Sequence, residues 1–159
     1  MGGPELQCPV CGKGLKTASL AGVSVRICPE CRGTLIAQLD MIRTLEAMSK
    51  EMLKTLDPDE HLDPVPNQRG ALACPSCRAG MAKDNYCSAG LVFFDRCEAC
   101  RLLWLGTDEL GTMTLMWARM ERRLERVQRA TEEMLDHAES FVRGRRISGA
   151  ANAILFRLL

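Results

Sequence analysis

At 159 residues and a formal charge of +1, the chain can form one ordinary domain or two small ones, and it lacks the strong positive field on which general nucleic-acid binding rests. Aromatic residues make up only 4 % of it, so units of roughly 30 to 40 residues within it cannot rest on large hydrophobic cores and need a staple. No run of about eighteen apolar residues could span a bilayer, and the opening MGGPELQCPVCG has no basic region followed by an apolar stretch, so a cytoplasmic protein is expected.

The cysteines supply the staple. Cys8, Cys11, Cys28 and Cys31 form two C-x2-C pairs, and the arrangement recurs as Cys74, Cys77, Cys97 and Cys100. A tight C-x2-C turn presents two sulfurs to one point, and two such turns face to face make the tetrahedral thiolate cage that Zn2+ prefers. In a reducing compartment such pairs read as metal ligands in preference to disulfides. Two Zn2+ per chain are therefore expected, each a closed structural site with no open position for water or substrate. Four thiolates on each ion would take the formal charge from +1 to roughly −3.

In chain order, residues 15–28 (LKTASLAGVSVRIC) alternate Val23, Val25 and Ile27 against Ser24 and Arg26, with Ala21-Gly22 as the turn of a β-hairpin. Residues 35–56 then change period. Leu35, Leu39, Ile42, Leu45, Met48, Met52 and Leu56 fall on one broad side of a helix that should stop at Asp57-Pro58. The following stretch, with its prolines and acidic residues, reads as an extended linker.

The second set of cysteines encloses a second hairpin within residues 81–97, in which Ser88-Ala89-Gly90 signals the turn and Val92 and Phe94 align with Val23 and Val25. A long helix is then expected from about residue 107 or 108 to about 143, with Thr107 as N-cap, acidic residues in its first turn and Gly144 as its stop. Leu110, Met113, Trp117, Met120, Leu124, Val127, Thr131, Met134, Ala138 and Phe141 step by three and four, an a/d seam that wants a partner in the residue 35–56 helix or in a second copy. Residues 145–159 could add a short amphipathic helix, with Ile147, Ile154, Leu155 and Leu158 on one side.

The expected fold class is thus a small metal-stabilised α+β protein: two four-cysteine zinc ribbons built on β-hairpins, each followed by an α-helix. The second helix is long and of heptad character. The expected segments are ribbon one over 1–34, an amphipathic helix over 35–56, a linker over 57–73, ribbon two over 74–107, the long helix over 108–143 and a C-terminal segment over 144–159.

The second repeat, with CPSC at residues 74–77 and CEACRLLWLGTDEL at 97–110, resembles the transcription factor IIB-type zinc ribbon of small bacterial modules. That family closes on a Trp-Leu-Asp-x-x-Glu-Leu-like signature, matched here by Trp104, Leu105, Glu109 and Leu110, with Gly106 in place of the Asp. The first repeat (CPVC and CPECRGTLIAQLDM) resembles it more loosely, with Leu35 where the Trp should stand and Asp40-Met41 in place of Glu-Leu. The resemblance implies zinc binding and a ribbon used for macromolecular contacts, with Trp104 and Leu105 covering the metal and Glu109-Leu110 opening the helix.

Enzyme activity finds no support: there is no phosphate loop, no nucleophile elbow, no carboxylate pair around a cleft, and neither His61 nor His137 has a second histidine at ligand spacing. Both histidines read as solvent-exposed, and the ninth cysteine, Cys87, as an ordinary half-buried residue. Three roles follow. A protein partner or a second copy of the chain could take the helices. Nucleic acid could contact the face formed by Arg119, Arg122, Arg123, Arg126 and Arg129, although a solvated helix face with Glu125 paired to Arg129 explains the same residues. A membrane surface could take the C-terminal segment, although packing against another subunit is the commoner fate of such a strip. No small-molecule substrate is expected.

Overall fold

The computed structural model of the chain describes residues 6–20, 22–52, 54, 61–65, 69–88 and 90–155, with Ser88 and 144–155 described by their backbone alone. Each cysteine set encloses a hairpin, as the alternation predicts. The first is β1 (Lys16–Leu20) against β2 (Val23–Ile27), and the second is β4 (Ala82–Asn85) against β5 (Phe93–Cys97). Gly22, in the first turn, has a φ of +82°, a left-handed conformation open to glycine at no steric cost.

A third strand follows each second cysteine pair: β3 (Thr34–Ala37) and β6 (Leu102–Leu105). These two pair with each other, so both ribbons merge into one six-stranded antiparallel sheet of order β1-β2-β3-β6-β5-β4. The two halves are related by a pseudo-twofold axis between β3 and β6, with Leu35 opposite Trp104 at its centre.

The pleat separates two apolar layers, because successive side chains point to opposite faces. One layer gathers Leu35 and Trp104 with Cys8, Cys28, Cys74 and Cys97, and adds Leu15, Leu72 and Met81. The other gathers Val23, Val25, Ile36, Val92, Phe94, Leu103 and Leu105 beneath helical Leu45, Leu110 and Met113. One face of the sheet therefore carries the cysteine sites and the other the helices.

The helix expected from residue 35 starts later, because Leu35 and Ile36 each bury a face of the central strand. After β3 the chain makes a 3-10 turn, Gln38–Asp40, and only then α1, Met41–Met52. Leu45 is its buried anchor and Met41 and Met48 flank it, whereas Leu39 and Ile42 lie exposed. Leu56, the last residue of the expected seam, lies outside the described residues.

The second helix, α2 (Thr107–Leu155), runs past Gly144, its expected stop. One glycine within a helix costs only about 1 kcal/mol, and its neighbours Arg143, Arg145 and Arg146 are good helix formers. The chain divides into two compact units, 1–119 and 120–159, and α2 passes from the first into the second.

Candidate metal centres

Each C-x2-C pair folds as a knuckle. The amide of Gly12 donates to the Cys8 carbonyl (2.9 Å), that of Arg32 to Cys28 (3.0 Å) and that of Arg78 to Cys74 (2.9 Å). The residue after each second cysteine is left-handed: Gly12, Arg32, Arg78 and Arg101 have φ of +73°, +55°, +64° and +52°. Only the first of these four is a glycine, so the tight turn around the metal holds three arginines in a conformation that non-glycine residues rarely adopt.

Within each knuckle the first cysteine is buried and the second lies nearer the surface: Cys8, Cys28, Cys74 and Cys97 are in the core, Cys11, Cys31 and Cys77 are exposed, and Cys100 is intermediate. The amide of Val10 points at Cys8 Sγ (3.4 Å) and that of Cys100 at Cys97 Sγ (3.4 Å), a main-chain polarity that suits a thiolate.

The sulfur geometry fits zinc. In each set the four Sγ atoms lie within 4.8 Å of one another. Cys8 to Cys31 is 3.6 Å, Cys11 to Cys28 is 3.4 Å and Cys77 to Cys97 is 3.6 Å. A tetrahedron with Zn–S bonds of about 2.3 Å has S–S edges of about 3.8 Å, whereas a disulfide needs about 2.05 Å. Each set is a four-thiolate zinc site, and the chain is a zinc-binding protein with two of them. With all four positions supplied by the protein, each ion would hold its ribbon together.

The acidities of the metal-free thiols match that function. Burial pushes Cys8 and Cys74 up to about 12. Burial also raises Cys31, and the hydrogen bond with Cys77 raises Cys100. Burial opposes ionisation of Cys28 too, but the amides of Cys31 and Glu30 outweigh it and bring the thiol down to about 7. Cys77 falls to about 7 as well, chiefly through the amide of Ala79. Without a cation, four thiolates in one place cannot all ionise, so zinc binding must release protons.

Between the two sites lies Trp104, fully buried. It covers the cysteine layer as the resemblance implies, but Leu105 faces the helices, because the next residue of a strand points the other way. A Cβ on Gly33 would lie 2.3 Å from the indole Cζ2, so glycine at that position makes room for the ring.

The start of α2 corrects another expectation. The cap is Gly106 and not Thr107: the Gly106 carbonyl accepts from the Leu110 amide (3.1 Å), and Glu109 Oε2 accepts from the Gly106 amide (2.7 Å). Glu109 thus performs the reach-back half of a capping box. Its other oxygen pairs with Arg69, whose guanidinium also lies 3.7 Å from buried Asp95. A Cβ on Gly106 would sit 2.7 Å from Arg69 Nη1, so glycine at that position leaves space for the arginine.

No local pattern signals the Arg69 cluster, because its members are far apart in the chain and Arg69 stands in the expected linker. That segment is fastened to ribbon two: the Val65 amide donates to the Leu91 carbonyl (2.8 Å), and Leu72 is buried beside Cys74.

The remaining expected residues fall outside these sites. His61 is exposed beside Asp63, and His137 is exposed on α2. Cys87 is exposed, and not half-buried, because the chain turns there with a φ of +54°. Of the helix seam, Leu110, Met113 and Trp117 pack into the first unit, whereas Met120, Leu124, Val127, Met134 and Phe141 are exposed. Of the arginines, Arg119 and Arg122 are partly buried and Arg123, Arg126 and Arg129 exposed. Arg129 Nε lies 3.5 Å from the Glu125 carbonyl oxygen, a main-chain partner where a carboxylate was expected.

Residues 7–47 match the family described as transcription factor zinc-finger. The matched ribbon is the first, although the Trp-Leu signature pointed to the second as the nearer copy. The match spans the knuckles, the hairpin and the start of α1, so it reads the whole ribbon and not its closing motif alone. No curated protein and no solved structure matches the chain. Among the described residues, no helix is long and apolar enough to cross a membrane.

Proposed function

We propose that the chain is a non-enzymatic, zinc-stabilised adaptor that uses α2 for self-association or for docking a protein partner. The observation that carries this reading is the exposed apolar stripe beyond the sheet: Leu124, Val127 and Met134 are 54 %, 57 % and 66 % exposed on a helix whose first seam residues, Leu110 and Met113, are buried. Exposed apolar rows of this length mark interaction surfaces. The two closed cysteine cages suit a scaffold and offer no site for a substrate. Sedimentation equilibrium at tens of micromolar tests the self-association form; a dimer or higher species supports it, and a clean monomer removes it.

Nucleic-acid binding is the second reading, supported by the family of residues 7–47 and by the exposed Arg123, Arg126 and Arg129. Electrostatic contacts are strongest at low salt, so failure to bind mixed DNA and RNA there ends this reading. The side chains of the C-terminal segment, 144–159, lie outside those described, and the membrane-surface reading rests on their sequence alone. Flotation with anionic liposomes, set against a chain ending at Gly144, tests it.

A further inference from the structure

Resting on the self-association reading, we infer that the occupant of the exposed α2 stripe is the same stripe of a second copy, running antiparallel and centred near residue 129. The charges along the helix choose the direction. Residues 120–129 carry four arginines against two glutamates, and residues 130–139 carry four carboxylates and neither lysine nor arginine. A parallel pair would set basic half on basic half and acidic on acidic at an interhelix distance of about 10 Å, within reach of unscreened repulsion. An antiparallel pair sets each half against its opposite.

The seam chooses the register. Antiparallel seams stack an a residue of one helix on a d residue of the other. Centred near residue 129, such layers set Met120 on Ala138 of the second copy, Leu124 on Met134 and Val127 on Thr131, each then repeated by symmetry. Large faces small in the first layer, which interdigitation favours. Thr131 suits an apolar layer because its hydroxyl is already donated to the Val127 carbonyl (2.8 Å), which leaves its methyl group for the seam. The same centre sets residues 120–128 of each copy over 130–138 of the other, basic stretch on acidic stretch.

Arg122, Arg129 and Asp136 share one outward heptad position, so spin labels there report the alignment without entering the seam. The labels are attached to R122C, R129C and D136C, each in the full zinc-loaded chain with exposed Cys87 replaced by Ser, and distances between copies are read by pulsed dipolar spectroscopy. The inference predicts equal distances at 122 and 136, both roughly 10 Å longer than at 129, from an axial offset of about 21 Å on a lateral separation of about 20 Å. Three equal distances would mean a parallel pair and overturn the inference while self-association stands. Monomers by sedimentation, with no distance between copies, would overturn both.

Discussion

Leu35 and Trp104 occupy the same position in the two repeats and face each other across β3 and β6. Each follows the last cysteine of its set by four residues, so the pairing is the chain's internal symmetry meeting itself. The consequence is energetic: both cysteine sets share one apolar layer, in which Trp104 is the largest fully buried side chain.

Replacing Trp104 by Ala should therefore weaken both ribbons together, by about 3 to 5 kcal/mol for loss of a buried aromatic ring. Gly33→Ala, in the other repeat, should cost about 1 to 3 kcal/mol, because its new methyl group meets the same ring. Urea unfolding followed by far-UV circular dichroism checks both. Two separate transitions, with only ribbon two affected by the Trp104 change, would contradict a shared layer.

The Arg69 cluster should dominate pH dependence outside the metal sites. Burial raises the Asp95 carboxyl above its ordinary 3.8, against the opposing pull of Arg69 and Lys83 and with a further push from Glu109. A group raised on folding binds its proton more tightly in the folded chain. Its stabilising contribution is thus full below 3.8 and is lost as pH rises through the folded value. Asp95→Asn should remove that loss, so its unfolding free energy should fall less than the parent's as pH rises above 3.8. Parallel profiles would contradict the assignment.

Arg69→Met should cost about 3 kcal/mol near neutral pH, since it removes the cation paired with buried Glu109 and Asp95 and leaves only the weaker pull of Lys83 on Asp95. The double change Arg69→Met with Asp95→Asn should recover part of that loss. Thermal unfolding of the three variants measures the coupling, and simple additivity would mean that the two residues do not act as a pair.

The metal sites should be coupled through the sheet. Cys97→Ser removes a buried ligand from the second set, and the chain should then hold one zinc in place of two. Because β6 lies directly against β3, the remaining zinc should also be released to a chelator faster than in the parent. An unchanged release rate would mean that the ribbons behave as independent units.

Cys87 should be the one thiol open to reagents in the zinc-loaded chain. It is exposed and outside both sets, whereas the other eight of the nine cysteines face a metal. A colorimetric thiol titration should show one rapid equivalent in native buffer and nine after chelation under denaturant.

Much of this was legible in the sequence wherever a short-range rule applied. The C-x2-C spacing identified all eight ligands, because knuckle geometry is local. Period-two alternation placed Val23, Val25, Val92 and Phe94 on one face, where all four are buried. Long-range pairing is where such reading stops. Nothing in LIA at residues 35–37 distinguishes a helix start from a strand; the partner that makes it a strand is Leu102–Leu105, more than sixty residues away. Arg69 reads as linker because its carboxylates are distant in sequence, and the reason for Gly106 in place of the signature's Asp is a guanidinium that sequence spacing does not place beside it. The helix seam was legible as a pattern, but only packing separates its buried start from its exposed continuation.

Native mass spectrometry of the freshly purified chain tests the central claim, that two four-thiolate zinc ions hold one continuous sheet. The expected neutral mass is that of the polypeptide plus two zinc ions less four protons, with loss of β-structure when a strong chelator strips both. A metal-free chain of native structure, or one whose cysteines are paired as disulfides, would contradict it.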